Sequence, residues 1–309
     1  MEFSHIPVLY KEVIEGLRIK PDGIYLDGTV GGGGHSSLIA KQLQNGKLYC
    51  TDRDEEALKA AGERLKEYGD RVTLLHSNFL NAVGLLKSMG VDGADGILLD
   101  LGVSSYQLDN PDRGFTYRED APLDMRMDRS GGLTAADIVN EWDEEDIRRI
   151  IRDYGEEKCA GRIAAAIVRK RTEKRIESTF ELNKVISDAM PAKMKADTHP
   201  SKRTYQALRI AVNGELDALE GALDEMLDYL NSGGRFAVIT FHSLEDRIVK
   251  RKFMEAEKPC ICPPGFPQCV CGRISKGKRV NHKAITAGEE ELENNRRSKP
   301  AKLRVFEKA

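Results

Sequence analysis

Residues 27–36 read DGTVGGGGHS, with four consecutive glycines at 31–34. Glycine loses more backbone entropy on folding than any other residue, so such a run persists only where a tight turn is needed or main chain must press against a ligand. An apolar run, GIYLDGTV (23–30), precedes it and has the profile of a buried parallel strand. HSSLIAKQL (35–43) follows with helical spacing, and Ser36 or Ser37 is the expected N-cap. Strand, glycine turn and helix in that order point to an α/β unit.

The pattern continues downstream. KLYCTDRD (47–54) reads as a second strand ending in acids, and DEEALKAAGERLKEYG (54–69) as a helix with an acidic first turn, stopped by Gly69. RVTLLHSNF (71–79) and DGILLDLGVSS (95–105) are the third and fourth strands. Alternation of this kind predicts a mostly parallel sheet with helices on both faces, joined by right-handed crossovers. From about 106 to 205 only helical patterns occur: TAADIVNEWDEEDIRRIIRDYG, CAGRIAAAIVRKR and TFELNKVISDAM. A long helix is expected over 206–230, then a turn at NSGG and a strand at RFAVITFH (235–242). The tail from 259 reads as loops until KLRVFEKA (302–309), a candidate edge strand. The expectation is one discontinuous α/β domain, 1–105 with 206–309, interrupted by an all-helical insert at 106–205.

Composition narrows the partners. Across 309 residues the net charge is −2, so any nucleic-acid surface must be a local patch. No stretch approaches ~18 uninterrupted apolar residues, and the N-terminus lacks an apolar signal core. Six cysteines in a chain this long do not make a secreted disulfide framework. A cytoplasmic protein that binds neither membrane nor DNA is expected, with monomer and homodimer both open.

Three ligands compete for the glycine loop. A triphosphate loop needs Lys-Ser/Thr after the last glycine, where Gly34-His35 stand, and no register supplies the G-x-G-x-x-G of a dinucleotide site. What is present is an acid followed by T-x-G-x-G: Asp27, Thr29, Gly31 and Gly33. This resembles the first motif of class I S-adenosylmethionine methyltransferases, with Thr29 where glycine is more usual. Asp52, at the end of strand two, is placed to accept both ribose hydroxyls, and Phe79, ending strand three, to cover the adenine. Asp100 ends strand four beside the crevice that open α/β sheets use for ligands. Each acid has the alternative reading of a solvated loop carboxylate. His35 either bonds the loop backbone or helps hold a methionine carboxylate.

Four segments carry a more specific likeness: DGTVGGGGHS, ILLDLGVSSYQLDNPDRGFTYREDAPLDMRM (97–127), HPSKRTYQALRIAVNGEL (199–216) and FHSLEDRIVKR (241–251). Together they closely resemble the RsmH (MraW) family, which methylates N4 of a cytidine in the decoding region of small-subunit ribosomal RNA. The resemblance implies a Rossmann-like methyltransferase domain with a helical insert, and cofactor positions at Gly33, Gly34, His35, Asp52, Phe79, Asp100 and Gln107. It implies ribosomal RNA or an assembled small subunit as substrate. The Asp/Asn-Pro-Pro-aromatic stretch of many amino-methyltransferases is replaced by DLGVSS (100–105), so that mechanism does not transfer. Asp100 and Asp124 are the candidate acceptors of the amine hydrogen, Asp100 also being a candidate cofactor ligand. Rival readings are a non-catalytic RNA-binding or assembly factor on the same fold, and a nicotinamide oxidoreductase.

Basic runs at 169–175, 201–209, 247–252 and 273–283 are candidate phosphate contacts, with Arg203 and Arg209 foremost. CICPPGFPQCVC (260–271) places Cys260, Cys262, Cys269 and Cys271 close enough to wrap one structural zinc, the alternative being reduced cysteines. Cys50 and Cys159 read as core.

Overall fold

The computed structural model describes residues 7–192, 199–263 and 270–309. Its strands are β1 (Ile24–Asp27), β2 (Lys47–Asp52), β3 (Val72–His76), β4 (Ala94–Asp100), β5 (Leu230–Thr240), β6 (Gly277–Arg279) and β7 (Lys302–Lys308). The helices are α1 (Tyr10–Leu17), α2 (Gly34–Ala40), α3 (Glu55–Leu65), α4 (Ala82–Ser88), α5 (Ser105–Asp109), α6 (Ala135–Glu141) and α7 (Glu144–Asp153). They continue with α8 (Ala160–Glu173), α9 (Thr179–Ala189), α10 (Lys202–Asn213), α11 (Glu215–Tyr229), α12 (Ser243–Glu257) and α13 (Glu289–Asn294). Two compact units emerge: Met1–Gly102 with Leu216–Ala309, and Val103–Glu215.

The first unit is built on a seven-stranded sheet in the order β3-β2-β1-β4-β5-β7-β6. Strands β3 to β5 are parallel, while β7 runs antiparallel to both β5 and β6. Alternate side chains enter two apolar layers. Leu26, Ile97, Leu99, Phe236, Val238 and Phe306 pack against α4, α11 and α12. Tyr25, Leu48, Leu98, Ala237, Ile239 and Val305 pack against α1, α2 and α3. Burial of both faces is why these strands read as continuous apolar runs; each buried large side chain contributes roughly 2 kcal/mol.

Three expectations need correction here. KLRVFEKA does form a strand, β7, but the edge beyond it is β6, inside the tail read as loops. Gly277–Arg279 has no apolar alternation to betray it; Lys278 and Arg279 pair with Glu307 and Phe306 of β7. The predicted helix 206–230 is two helices: Gly214 adopts φ 59°, ends α10, and turns the chain into α11. The sheet unit therefore resumes at Leu216 rather than 206. Neither serine caps α2. Its N-cap is Gly33 at φ 76°, because Ser36 donates instead to Asp27 Oδ2 (2.6 Å) and Ser37 to the Gly34 carbonyl (2.8 Å).

The second unit packs helices α6 to α10 around a core that includes Ile138, Ile147, Ile151, Ile163, Ile167, Leu182, Ile186 and Leu208. Capping boxes start α6 (Thr134 with Asp137) and α9 (Ser178 with Glu181). The loop from Arg113 to Met127 is tied down unusually well. Arg113 is fully buried and donates from Nη2 to the carbonyls of Arg126 (3.0 Å) and Met127 (2.9 Å). Asn213 of α10 donates to the Met125 carbonyl and accepts from the Met127 amide, both at 2.8 Å. Met125 is buried at φ 63°, a strained conformation that these bonds enforce. Among the described residues no helix is long and apolar enough to cross a membrane.

Candidate functional site

Strand order reverses between β1 and β4: the chain fills β2 and β3 on one side of that seam and β5 on the other. Ligands of open α/β sheets bind at such a switch point, outside the carboxyl ends of the strands. The glycine loop leaves β1 there. Gly28 donates to the Leu98 carbonyl of β4 (2.9 Å), and a Cβ on it would meet Leu99 Cδ2 at 2.5 Å and Phe79 Cβ at 3.1 Å. Gly31 (φ 49°) and Gly33 take left-handed conformations, and a Cβ on Gly34 would meet Pro7 Cγ at 2.8 Å. Turning and close packing account for these glycines, and the turn returns the chain to the strand tips.

Three aspartates converge at this edge. Asp27 is buried, accepts from the Thr29 amide (3.1 Å) and from Ser36, and is pushed up by desolvation that these bonds partly offset. Thr29, the departure from the usual motif, accepts from the Asp100 amide at 2.6 Å and so ties the loop to β4. Asp52 accepts from the amides of Gly31 (2.8 Å) and Asp54 (3.0 Å), yet burial outweighs both bonds and pushes its carboxyl up to about 6. Each of its oxygens keeps acceptor capacity for a hydroxyl.

The third acid is differently placed. Asp100 Oδ2 lies 3.5 Å from His35 Nε2, too far for a good hydrogen bond. Asp100 Oδ1 and both ring nitrogens of His35 are buried with no hydrogen-bond partner among the described residues. Leaving one such group unpaired costs about 1–3 kcal/mol, so buried polar atoms are nearly always satisfied. Three orphans side by side at a switch point mark a place where a polar ligand completes the bonding.

Of the remaining candidates, Phe79 lies at this edge and the others are distributed elsewhere. Phe79 opens a 3₁₀ turn, Phe79–Asn81, three residues past β3, and is partly buried beside Gly28. Gln107 belongs to the helical unit, where its Oε1 accepts from the Ser104 amide (2.9 Å) in the capping box of α5. Asp124 is no poised base. Arg126 grips it through Nε (2.8 Å) and Nη2 (2.9 Å), and Arg129 approaches to 3.6 Å. Burial pushes this carboxyl up, but the Arg126 bonds outweigh burial and hold it below the usual range. Arg209 is likewise taken, by a bidentate pair with Glu215 (2.8 and 2.9 Å), whereas Arg203 is exposed and donates once to the Glu156 carbonyl. Much of the basic runs is similarly paired: Lys174 with Glu181, Arg175 with Glu141, Arg251 with Glu220, and Arg279 with Glu257. Cys260, Cys262 and Cys271 come together; Cys269 lies outside the described residues.

One pair escaped the sequence reading. At the end of β5, buried Glu245 accepts from the amides of Phe241 (2.8 Å) and His242 (3.2 Å), and His242 Nε2 lies 3.1 Å from its Oε1. His242 caps α12 in a capping box, so the signal was present in FHSLEDR as a polar residue followed three positions later by glutamate.

A model of the MraW methylase family matches residues 2–309 of the chain. Ribosomal RNA small subunit methyltransferase H 2 of Agathobacter rectalis is 60% identical over 311 residues, covering 100% of this chain and 99% of its own. Ribosomal RNA small subunit methyltransferase H of Lachnospira eligens is 57% identical, covering 100% and 98%, and that of Clostridium botulinum (strain Kyoto / Type A2) is 53% identical, covering all of both chains.

Proposed function

The chain belongs to the MraW methylase family, and from that premise we propose that it transfers a methyl group from S-adenosylmethionine to N4 of a cytidine in small-subunit ribosomal RNA. The observation that carries the reading is the orphaned trio of His35 Nδ1, His35 Nε2 and Asp100 Oδ1 at the switch point. A zwitterionic nucleoside suits the site: it brings a carboxylate, an ammonium and ribose hydroxyls to an edge that offers ring nitrogens and acceptor oxygens. A nicotinamide cofactor brings a pyrophosphate, for which the loop has no fingerprint.

In this reading Asp52 accepts the ribose hydroxyls, Phe79 flanks the adenine, and His35 contacts the methionine carboxylate, with Gly33, Gly34 and Gln107 the further candidate contacts. S-adenosylmethionine, when bound, supplies an electrophilic methyl on a positively charged sulfur. The chain's contribution is orientation and charge. The lone pair of a cytosine amine is delocalised into the ring, so the amine must be held with that pair directed at the methyl. Asp100 Oδ1 is the acceptor for one amine hydrogen; N4 gains the methyl and loses that hydrogen as a proton. Alignment of this kind is worth several kcal/mol of barrier without a strong base. The cytidine must leave its stack to reach such a site, and the helical unit, with exposed Arg203, is the candidate RNA-recognition domain.

Isothermal titration with S-adenosylhomocysteine, followed by labelled methyl transfer to small subunits, naked ribosomal RNA and DNA, tests the proposal. Label on N4-methylcytidine of ribosomal RNA supports it. Ligand binding without transfer to any RNA would favour an assembly factor, and absence of binding would reject the reading.

A further inference from the structure

Cys260, Cys262 and Cys271 bring their sulfurs within 4.8 Å of one another. The chain around them is closed at its base. It leaves α12 and returns to β6 at one point: the Lys276 amide donates to the Ala256 carbonyl (2.8 Å), and Arg279 donates from Nε to Glu257 (2.9 Å). Among the described residues between those points, the large apolar side chains Ile261, Val270 and Ile274 face solvent, 67%, 74% and 86% exposed. Described side chains that bury so little apolar surface need another source of order, and metal ligation is a common one in small units. Gly272, at φ 65°, turns the chain directly after Cys271.

We propose that Cys260, Cys262 and Cys271 bind one zinc ion as thiolates. Tetrahedral zinc with Zn–S near 2.3 Å sets its sulfurs about 3.8 Å apart, so closure from separations within 4.8 Å requires at most about an ångström of contraction. Thiolates are soft donors, which favours zinc over magnesium or calcium. Binding transfers one proton from each thiol to solvent, so affinity weakens as pH falls. The role is structural, since nothing in the methyl-transfer reading draws on these residues, and its failure would leave that reading intact.

The test uses the full chain, purified from zinc-supplemented cells without chelator. About one zinc per chain is expected, falling below a tenth in Cys260→Ser/Cys262→Ser while affinity for S-adenosylhomocysteine stays within twofold. Cobalt(II) exchanged into the native chain should give thiolate-to-metal charge-transfer absorption, and this decides the matter even if the double variant misfolds. Native protein without metal, equal zinc in the variant, or a disulfide mapped between two of these cysteines would each overturn the site.

Discussion

Asp100 and Asp124 are both candidate acids in the sequence, and the structure separates them by what surrounds each carboxylate. Asp124 has a guanidinium on both oxygens and a second arginine nearby. Asp100 has an oxygen with no partner among the described residues and a histidine just out of reach. An acid with arginine on both oxygens is a brace, because its charge is already matched. An unsaturated one costs stability in the free protein, and that cost is recovered when a ligand supplies the missing donor.

The sharpest way to break the comparison is to neutralise each acid in turn. Asp100→Asn should lower methyl-transfer kcat by about 10²–10³-fold, the scale of losing one aligned polar contact in a transition state. Its melting temperature should be unchanged or higher, since the substitution removes a partly buried negative charge and supplies an amide donor towards His35. Normal turnover in this variant would remove Asp100 from the chemistry. Asp124→Ala should do the reverse, lowering unfolding free energy by about 3 kcal/mol by stranding Arg126, with transfer preserved below the transition. The sign follows from its depressed pKa: the pair contributes fully above the unfolded value near ~3.9, begins to weaken there, and its contribution is lost as pH falls through the lower folded value. Chemical denaturation at pH 7, followed down a series to about pH 2, reads both effects.

The same contrast explains what was legible in the chain. Strands β1 to β5 announce themselves because a parallel sheet is apolar on both faces, and the glycine loop because its entropy cost demands a reason. β6 gives no signal, since three residues held by pairing with β7 have no apolar pattern of their own. The break at Gly214 looks like an ordinary interior glycine until its left-handed φ is known. Asp124 and Arg126 stand two apart in a loop, where no periodicity rule pairs them; strained Met125 between them sets the geometry. Arg209 reads as part of a basic run, yet Glu215, six residues on and past the turn, closes on it. Charge runs describe composition, and only the fold says which charges already have partners.

Asp52 sharpens the contrast at smaller scale, being an acid with two amide donors and still an elevated pKa of about 6. Its ionised form is the better acceptor of ribose hydroxyls, so affinity for S-adenosylhomocysteine should fall about tenfold between pH 7 and pH 5, where some nine-tenths of the carboxyl is protonated. Stability moves oppositely. A folded pKa above the unfolded one means the fold takes up a proton, so this group's contribution to stability rises as pH drops from 6 to 4. Asp52→Asn should flatten both profiles. Affinity that stays pH-independent in the native chain would take Asp52 out of the ribose site.

The smallest effect separates Arg203 from Arg209 in the same terms. Arg209 is held by Glu215 on both nitrogens with little of either side chain exposed, so a phosphate would have to displace a carboxylate already in bidentate register. Arg203 has one guanidinium nitrogen on a main-chain carbonyl and is otherwise open to solvent. Arg203→Ala should therefore weaken ribosomal RNA binding some threefold to tenfold and reduce the salt-dependence slope by about one, with S-adenosylhomocysteine affinity unchanged. Arg209→Ala should leave that slope alone and lower the melting temperature instead, because Glu215 loses its counter-charge. Filter binding across a salt series, paired with melting curves, reads the four outcomes together. If the two variants change the salt slope equally, partner saturation does not distinguish bracing arginines from binding ones in this chain.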